Sequence, residues 1–140
     1  MAHSGHGATI AFGTTSGFTP AITRVSAISR SRGAIDVTNH ATTNQKEWIP
    51  EDLWDVDELV VDYQYDQSAA TYAPIAGASE TITLTWGLKT GETAGATFAG
   101  TGFLTNESSG DQVAASTDPI IGSVTIKYDG QTEAAYAAGS

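Results

Sequence analysis

Apolar side chains recur at every second residue in several separate stretches of this chain, and that period permits little except sheet. "ETITLTW" puts Ile82, Leu84 and Trp86 on one face and Thr81, Thr83 and Thr85 on the other. "LVVDYQY" puts Leu59, Val61, Tyr63 and Tyr65 opposite Val60, Asp62 and Gln64. "IIGSVTIKY" sets Ile120, Val124, Ile126 and Tyr128 against Ile121, Ser123, Thr125 and Lys127. β-branched and aromatic residues dominate all three, as a half-buried pleated surface requires. "ATFAGTGFL" alternates more loosely, with Gly100 and Gly102 where a neighbouring backbone approaches or the sheet bends. "ATIAF", "TRVSAISR" and "AIDV" supply earlier strands.

Between the strands lie turn-forming runs: "GTTSG", "SRG", "KTGETAG" and "ESSGDQ". One short α-helix is expected over Asp66–Ala73, capped by Asp66 or Ser68 and stopped by Pro74. A long loop is expected near residues 38–55, too long for a simple hairpin and therefore of functional interest. Within it, "KEWIPEDLWDVDEL" sets Trp48, Ile49, Leu53 and Trp54 among six acids, with Pro50 arguing against a strand. Trp86, by contrast, reads as core. No composition break divides residues 1–140, so a single domain is expected. Residues 1–7 read as a flexible N-terminal arm and 133–140 as a flexible C-terminal tail. The expected fold is mainly β, an antiparallel sandwich or partly rolled barrel with six to eight strands, one helix and the long loop.

Charge narrows the function classes. The formal net charge is −10, and only Arg24, Arg30 and Arg32 form a basic group. An attractive grip on nucleic acid needs a positive patch, and the chain offers the reverse. Charged residues make up only 16% of the chain, with Thr, Ser, Ala and Gly in their place. That composition suits a β protein whose surface is covered by partners. There is no cysteine, so thiol chemistry and thiolate metal sites are absent. No apolar run reaches the roughly 18 residues of a membrane-spanning helix. The N-terminus lacks the basic and apolar regions of a signal peptide.

Half of the sixteen acids fall between Glu47 and Asp66. A glycosidase pair needs a cleft, and nothing in the sequence builds one. "EDLWDVDE" has closely spaced oxygen ligands for calcium but lacks the glycine and terminal bidentate glutamate of an EF-hand loop. His3 and His6 sit in a Gly-rich terminus, and His40 reads as a polar loop residue. "GTTSG" lacks the lysine of a phosphate loop. No enzyme, metal or cofactor is expected. Binding and assembly remain.

"RGAIDVTNH" followed by "KEWIPEDLWDVDELVVDYQYD" resembles the major tail tube proteins of long-tailed phages with non-contractile tails. That family shows a strand ending in an Asp-Val-Thr-like step, matched by Asp36, Val37 and Thr38. An "Ile-Pro-Gly-Leu-x-Asp"-like turn follows a long loop, matched by Ile49, Pro50, Leu53 and Asp55. A strand then ends in Tyr-Asp, as Tyr65 and Asp66 do. The later order also fits, and the likeness runs over most of residues 8–132. Glu51 and Asp52 depart from the pattern where the family often has glycine.

The resemblance implies hexameric rings that stack into a hollow tube in the phage virion, assembled from chains made in the host cytoplasm. The implied partners are further copies of the chain, tail terminator and distal tail proteins, and the tape-measure protein and DNA passing through the lumen, with no membrane. The same fold is shared with the inner tubes of contractile tails. On this reading Trp48, Ile49, Pro50, Leu53 and Trp54 form the inter-subunit interface, since buried tryptophan is a frequent hot-spot residue. Some of Asp36, Asp57, Asp62, Glu92 and Asp111 face the lumen. The alternative is a small β-sandwich binding module: a capsid decoration, tail-tip or carbohydrate-binding domain.

Overall fold

A computed structural model describes residues 7–65, 71–88, 90–115 and 117–139. Its strands are β1 (Thr9–Phe12), β2 (Ala21–Val25), β3 (Arg30–Asp36), β4 (Trp48–Val56), β5 (Leu59–Gln64), β6 (Glu80–Thr85), β7 (Thr97–Ser108), β8 (Ile121–Tyr128) and β9 (Ala135–Ala137). Seven of them form one antiparallel sheet in the order β1-β6-β7-β8-β5-β2, with β9 added to β7. The two ends of that order, β1 and β2, touch each other, so the sheet curls into the expected partly rolled barrel. Strands β3 and β4 pair only with each other, as a separate ribbon. No helix occurs among the described residues. Of the helix expected over Asp66–Ala73, residues 66–70 lie outside the described residues, and Thr71–Ala73 are not helical.

The period-two segments do what their pattern dictates. Leu59, Val61 and Tyr63 turn inward from β5, Ile82 and Leu84 from β6, and Val124, Ile126 and Tyr128 from β8. Register seats Leu59 opposite Ile126, Val61 opposite Val124, and Leu84 opposite Phe98. Cross-strand pairs of this kind are the unit of sheet stabilisation. Phe98, fully buried, meets Tyr128 edge-on at 5.4 Å between ring centroids. Burial pushes the Tyr128 hydroxyl up to about 12. Phe12, Phe18 and Tyr63 continue the core toward β1 through two edge-to-face contacts. Trp86 packs on this core while half-buried, its ring stacked on Tyr136.

Gly100 and Gly102 are places of close approach, as their spacing suggests. A Cβ on Gly100 would lie 2.8 Å from the Cα of Ala134, and one on Gly102 would lie 2.6 Å from the Lys127 carbonyl oxygen. The segment after β8 therefore crosses directly over β7 and returns as β9.

Two further expectations are corrected. The long loop is shorter, because "WIPEDLWDV" is strand β4. Pro50 is accommodated by a bulge. Arg32 pairs with Trp54 and Ala34 with Pro50, so Glu51, Asp52 and Leu53 together oppose the single residue Gly33. Proline lacks a ladder donor and is confined to edges and bulges, and β4 supplies both. The C-terminal tail is likewise not featureless. Ala135–Ala137 pairs with the start of β7 because Tyr136 has a ring-lined seat, 4.7 Å from Phe98. Of the N-terminal arm, residues 1–6 lie outside the described residues.

Candidate assembly surface

The β3–β4 ribbon stands away from the barrel. Beyond its own pairing it makes no extensive contact with another strand. Successive side chains alternate between its faces. One face carries Trp48, Pro50 and Trp54 of β4, opposite Asp36, Ala34 and Arg32 of β3. The other carries Ile49 opposite Ile35, with Val37 continuing beyond the strand through a bond from its N–H to the Glu47 carbonyl. Leu53 projects from the bulge and is 81% exposed; Trp48 is 54% exposed. Both faces of the ribbon thus present large apolar groups to solvent. The five residues expected at an interface are brought together on one element, and Ile35 and Val37 join them.

Trp54 differs from Trp48. The Arg30 guanidinium lies 5.5 Å from the Trp54 ring centre and 5.0 Å from that of Tyr136. Trp54 is correspondingly less exposed, at 37%. At the base of the ribbon Lys127 Nζ donates to Asp55 Oδ2 and to the Val56 carbonyl, both at 3.0 Å. That hydrogen bond holds the Asp55 carboxyl below the usual carboxylate range. The Asp57 N–H donates to the Ser29 carbonyl, closing the root of the ribbon. Arg32 Nε donates to the Glu51 carbonyl across the bulge. The tip is tied by Thr38, whose hydroxyl accepts from the Glu47 N–H at 2.9 Å. Sequence reasoning noted Arg30 and Arg32, with Arg24, as the basic group of the chain but gave them no task. It missed Lys127 and Tyr136, whose roles depend on contacts far away in the sequence.

The five candidate lumen acids are spread over the molecule. Asp36 ends β3, exposed, and hydrogen bonds from Thr38 hold its carboxyl down. Asp57 is exposed between β4 and β5. Asp62 is half-buried on β5 and paired with Arg24 at 3.1 Å. Glu92 is half-buried between β6 and β7, and Asp111 is exposed between β7 and β8. Among the described residues no group of three histidine or acidic side chains is arranged to hold a metal. His3 and His6 lie outside the described residues.

Solved structures share this arrangement of strands. A chain of the sheath/tube terminator of the extracellular contractile injection system PVC, in its extended state, superposes with a TM-score of 0.75 at 13% identity, covering 99% of this chain and 98% of its own. A chain of the PVC sheath–tube complex gives 0.72 at 13%, covering 98% and 92%. A chain of the anti-feeding prophage baseplate, 6-fold symmetrised, gives 0.68 at 14%, covering 94% and 91%. The fold is one found in contractile injection systems. No protein-family model and no curated protein matches the sequence. Full coverage in both directions at such low identity means that the whole fold is shared while almost every side chain differs.

Proposed function

We propose that this chain is a structural subunit of a phage-tail-like tube, self-assembling into rings that stack. The observation that carries the reading is the ribbon with apolar side chains on both faces. A two-stranded hairpin is marginally stable in water by itself. Contiguous exposed apolar area of this kind marks an interaction site. The neighbours support the reading, since their particles are described as a sheath–tube complex, a sheath/tube terminator and a baseplate. They support a tail-like structural subunit without singling out the non-contractile tail that the sequence resembles. Six copies per ring follow the resemblance, and a 6-fold symmetrised neighbour is in keeping with that number.

Magnitudes bear on how assembly proceeds. Full burial of a large apolar side chain is worth about 1.5–3 kcal/mol. Association costs roughly 4–15 kcal/mol in lost freedom before any surplus appears. Burying Trp48, Ile49 and Leu53 offsets only the lower part of that cost. One ribbon docking on one neighbour is therefore weak, and a ring in which every copy both gives and receives a ribbon is favoured over a dimer. The acids beside the strip keep the free subunit soluble. A formal charge of −10 per copy leaves a lumen that phosphates pass without adhering.

Sedimentation and electron microscopy of the concentrated protein test the reading. Rings or tubes are expected from the native sequence, with Trp48→Ala and Leu53→Asp remaining folded single subunits. Tubes from Leu53→Asp at the native rate would refute the role of the strip.

A further inference from the structure

We infer that Arg30, gripped between Trp54 and Tyr136, is a latch that fixes the pose of the β3–β4 ribbon against the C-terminal strand. The ribbon has no backbone ladder to the barrel, so its direction must be set by side chains at its root. Val56, buried in the core, is one anchor there, and two cations supply the others. Lys127 holds the β4 side through Asp55 and the Val56 carbonyl. Arg30 holds the β3 side by lying within 5.5 Å of two ring centres, one on the ribbon and one on β9. A planar guanidinium satisfies two aromatic faces at once, which an ammonium does less well.

Tyr136 is itself anchored. Its ring is 4.7 Å from the fully buried Phe98 and 6.2 Å from Trp86, nearly parallel to the latter. A continuous stack therefore runs from Trp54 through Arg30 and Tyr136 to the core. Strand β9 is three residues long and sits off the main path of the sheet, so its backbone pairing alone is a slender attachment. The stack binds ribbon and C-terminal strand to each other, and losing either frees both. Trp54 is taken up by this latch, while Trp48, Ile49 and Leu53 are more exposed. The two indoles of "KEWIPEDLW" thus do different work.

The latch delivers the ribbon already ordered to the next subunit, so docking does not bear the full entropy of ordering it. This consequence rests on the assembly reading; the latch does not.

Hydrogen exchange on the full chain, dilute and unassembled, tests the latch. With Arg30→Gln, amides of β3, β4 and β9 are expected to exchange at least tenfold faster, while those of β5, β6 and β8 are unchanged. Tyr136→Phe keeps the ring and is expected to exchange like the native chain. Unchanged exchange in the ribbon of Arg30→Gln overturns the latch, and so does a uniform acceleration in every strand, which marks Arg30 as a general stabiliser. Tube growth is followed separately in the same preparations. Slower growth by Arg30→Gln supports the consequence, and growth at the native rate with a loosened ribbon overturns it. Failure of the native chain to assemble at all strikes the assembly reading alone.

Discussion

Gly100 shows what one atom decides in this fold. The chain after β8 crosses β7 so closely that a Cβ there would meet the Ala134 backbone at 2.8 Å and the Tyr128 ring at 3.1 Å. Overpacking of that kind costs about 1–3 kcal/mol. Gly100→Val is expected to lower the melting temperature by several degrees and to release β9, read as protease cleavage near residue 133. Asp129 acts at the same crossing. Hydroxyl groups of Ser79 and Thr101 and the N–H of Gln131 hold its carboxyl below the ordinary carboxylate range. A carboxyl lowered in the folded state contributes stability that is present above its unfolded pKa and lost as pH falls through the folded one. Thermal stability should be flat from neutral pH to about pH 5 and fall below about pH 4. Asp129→Asn should flatten that acid limb, and an unaltered limb would mean that other carboxyls carry it.

At the scale of elements, the barrel strands were legible because each buries one face, and burial of one face writes a period of two into the sequence. Leu59, Val61, Ile82, Leu84, Val124 and Ile126 all stand where that period puts them. Strand β4 was illegible for the same reason. Only Val56, at the root of the ribbon, is buried within the chain, so "WIPEDLWDV" carries no alternation, and Pro50 argues against a strand until the bulge is seen. Strand β9 was hidden because one side chain, Tyr136, secures it among alanines. The five proposed interface residues were singled out by a chemical oddity, apolar side chains among acids, and not by periodicity. Their opposite number across the ribbon, Ile35, was seen only as part of a strand. The apolar strip belongs to β4 as an element, so substitutions along it should leave the barrel alone. Trp48→Ala and Ile49→Ser are expected to melt within about a degree of the native protein, because both are exposed and neither belongs to the core cluster. A drop of several degrees in either would show that the ribbon folds back onto its own subunit.

Across the whole molecule, charge and apolar surface oppose each other. Each copy carries a formal −10, and neighbouring copies repel until salt screens them. The screening length shrinks from roughly 30 Å at 0.01 M to about 8 Å at physiological ionic strength. Assembly should therefore accelerate at least several-fold when salt rises from about 0.01 M to about 0.15 M, as followed by light scattering. Slower growth at higher salt would mean that intersubunit ion pairs, and not apolar burial, drive it. The tail-like neighbours share the barrel and almost none of the side chains, so assembly in this fold has to be rebuilt from each sequence's own surface. On the proposed reading that surface is the ribbon, held by Arg30 and Lys127 and displayed by β4.

In the proposed assembly another copy of the chain covers the ribbon. The protein has no cysteine, so Leu53→Cys places a single thiol on the most exposed large apolar site among the described residues. Maleimide labelling of that thiol, compared between dilute subunits and the concentrated assembled form, measures its cover directly. Labelling at least tenfold slower in the assembly is the predicted result; equal rates in dilute protein and in visible tubes would contradict the account.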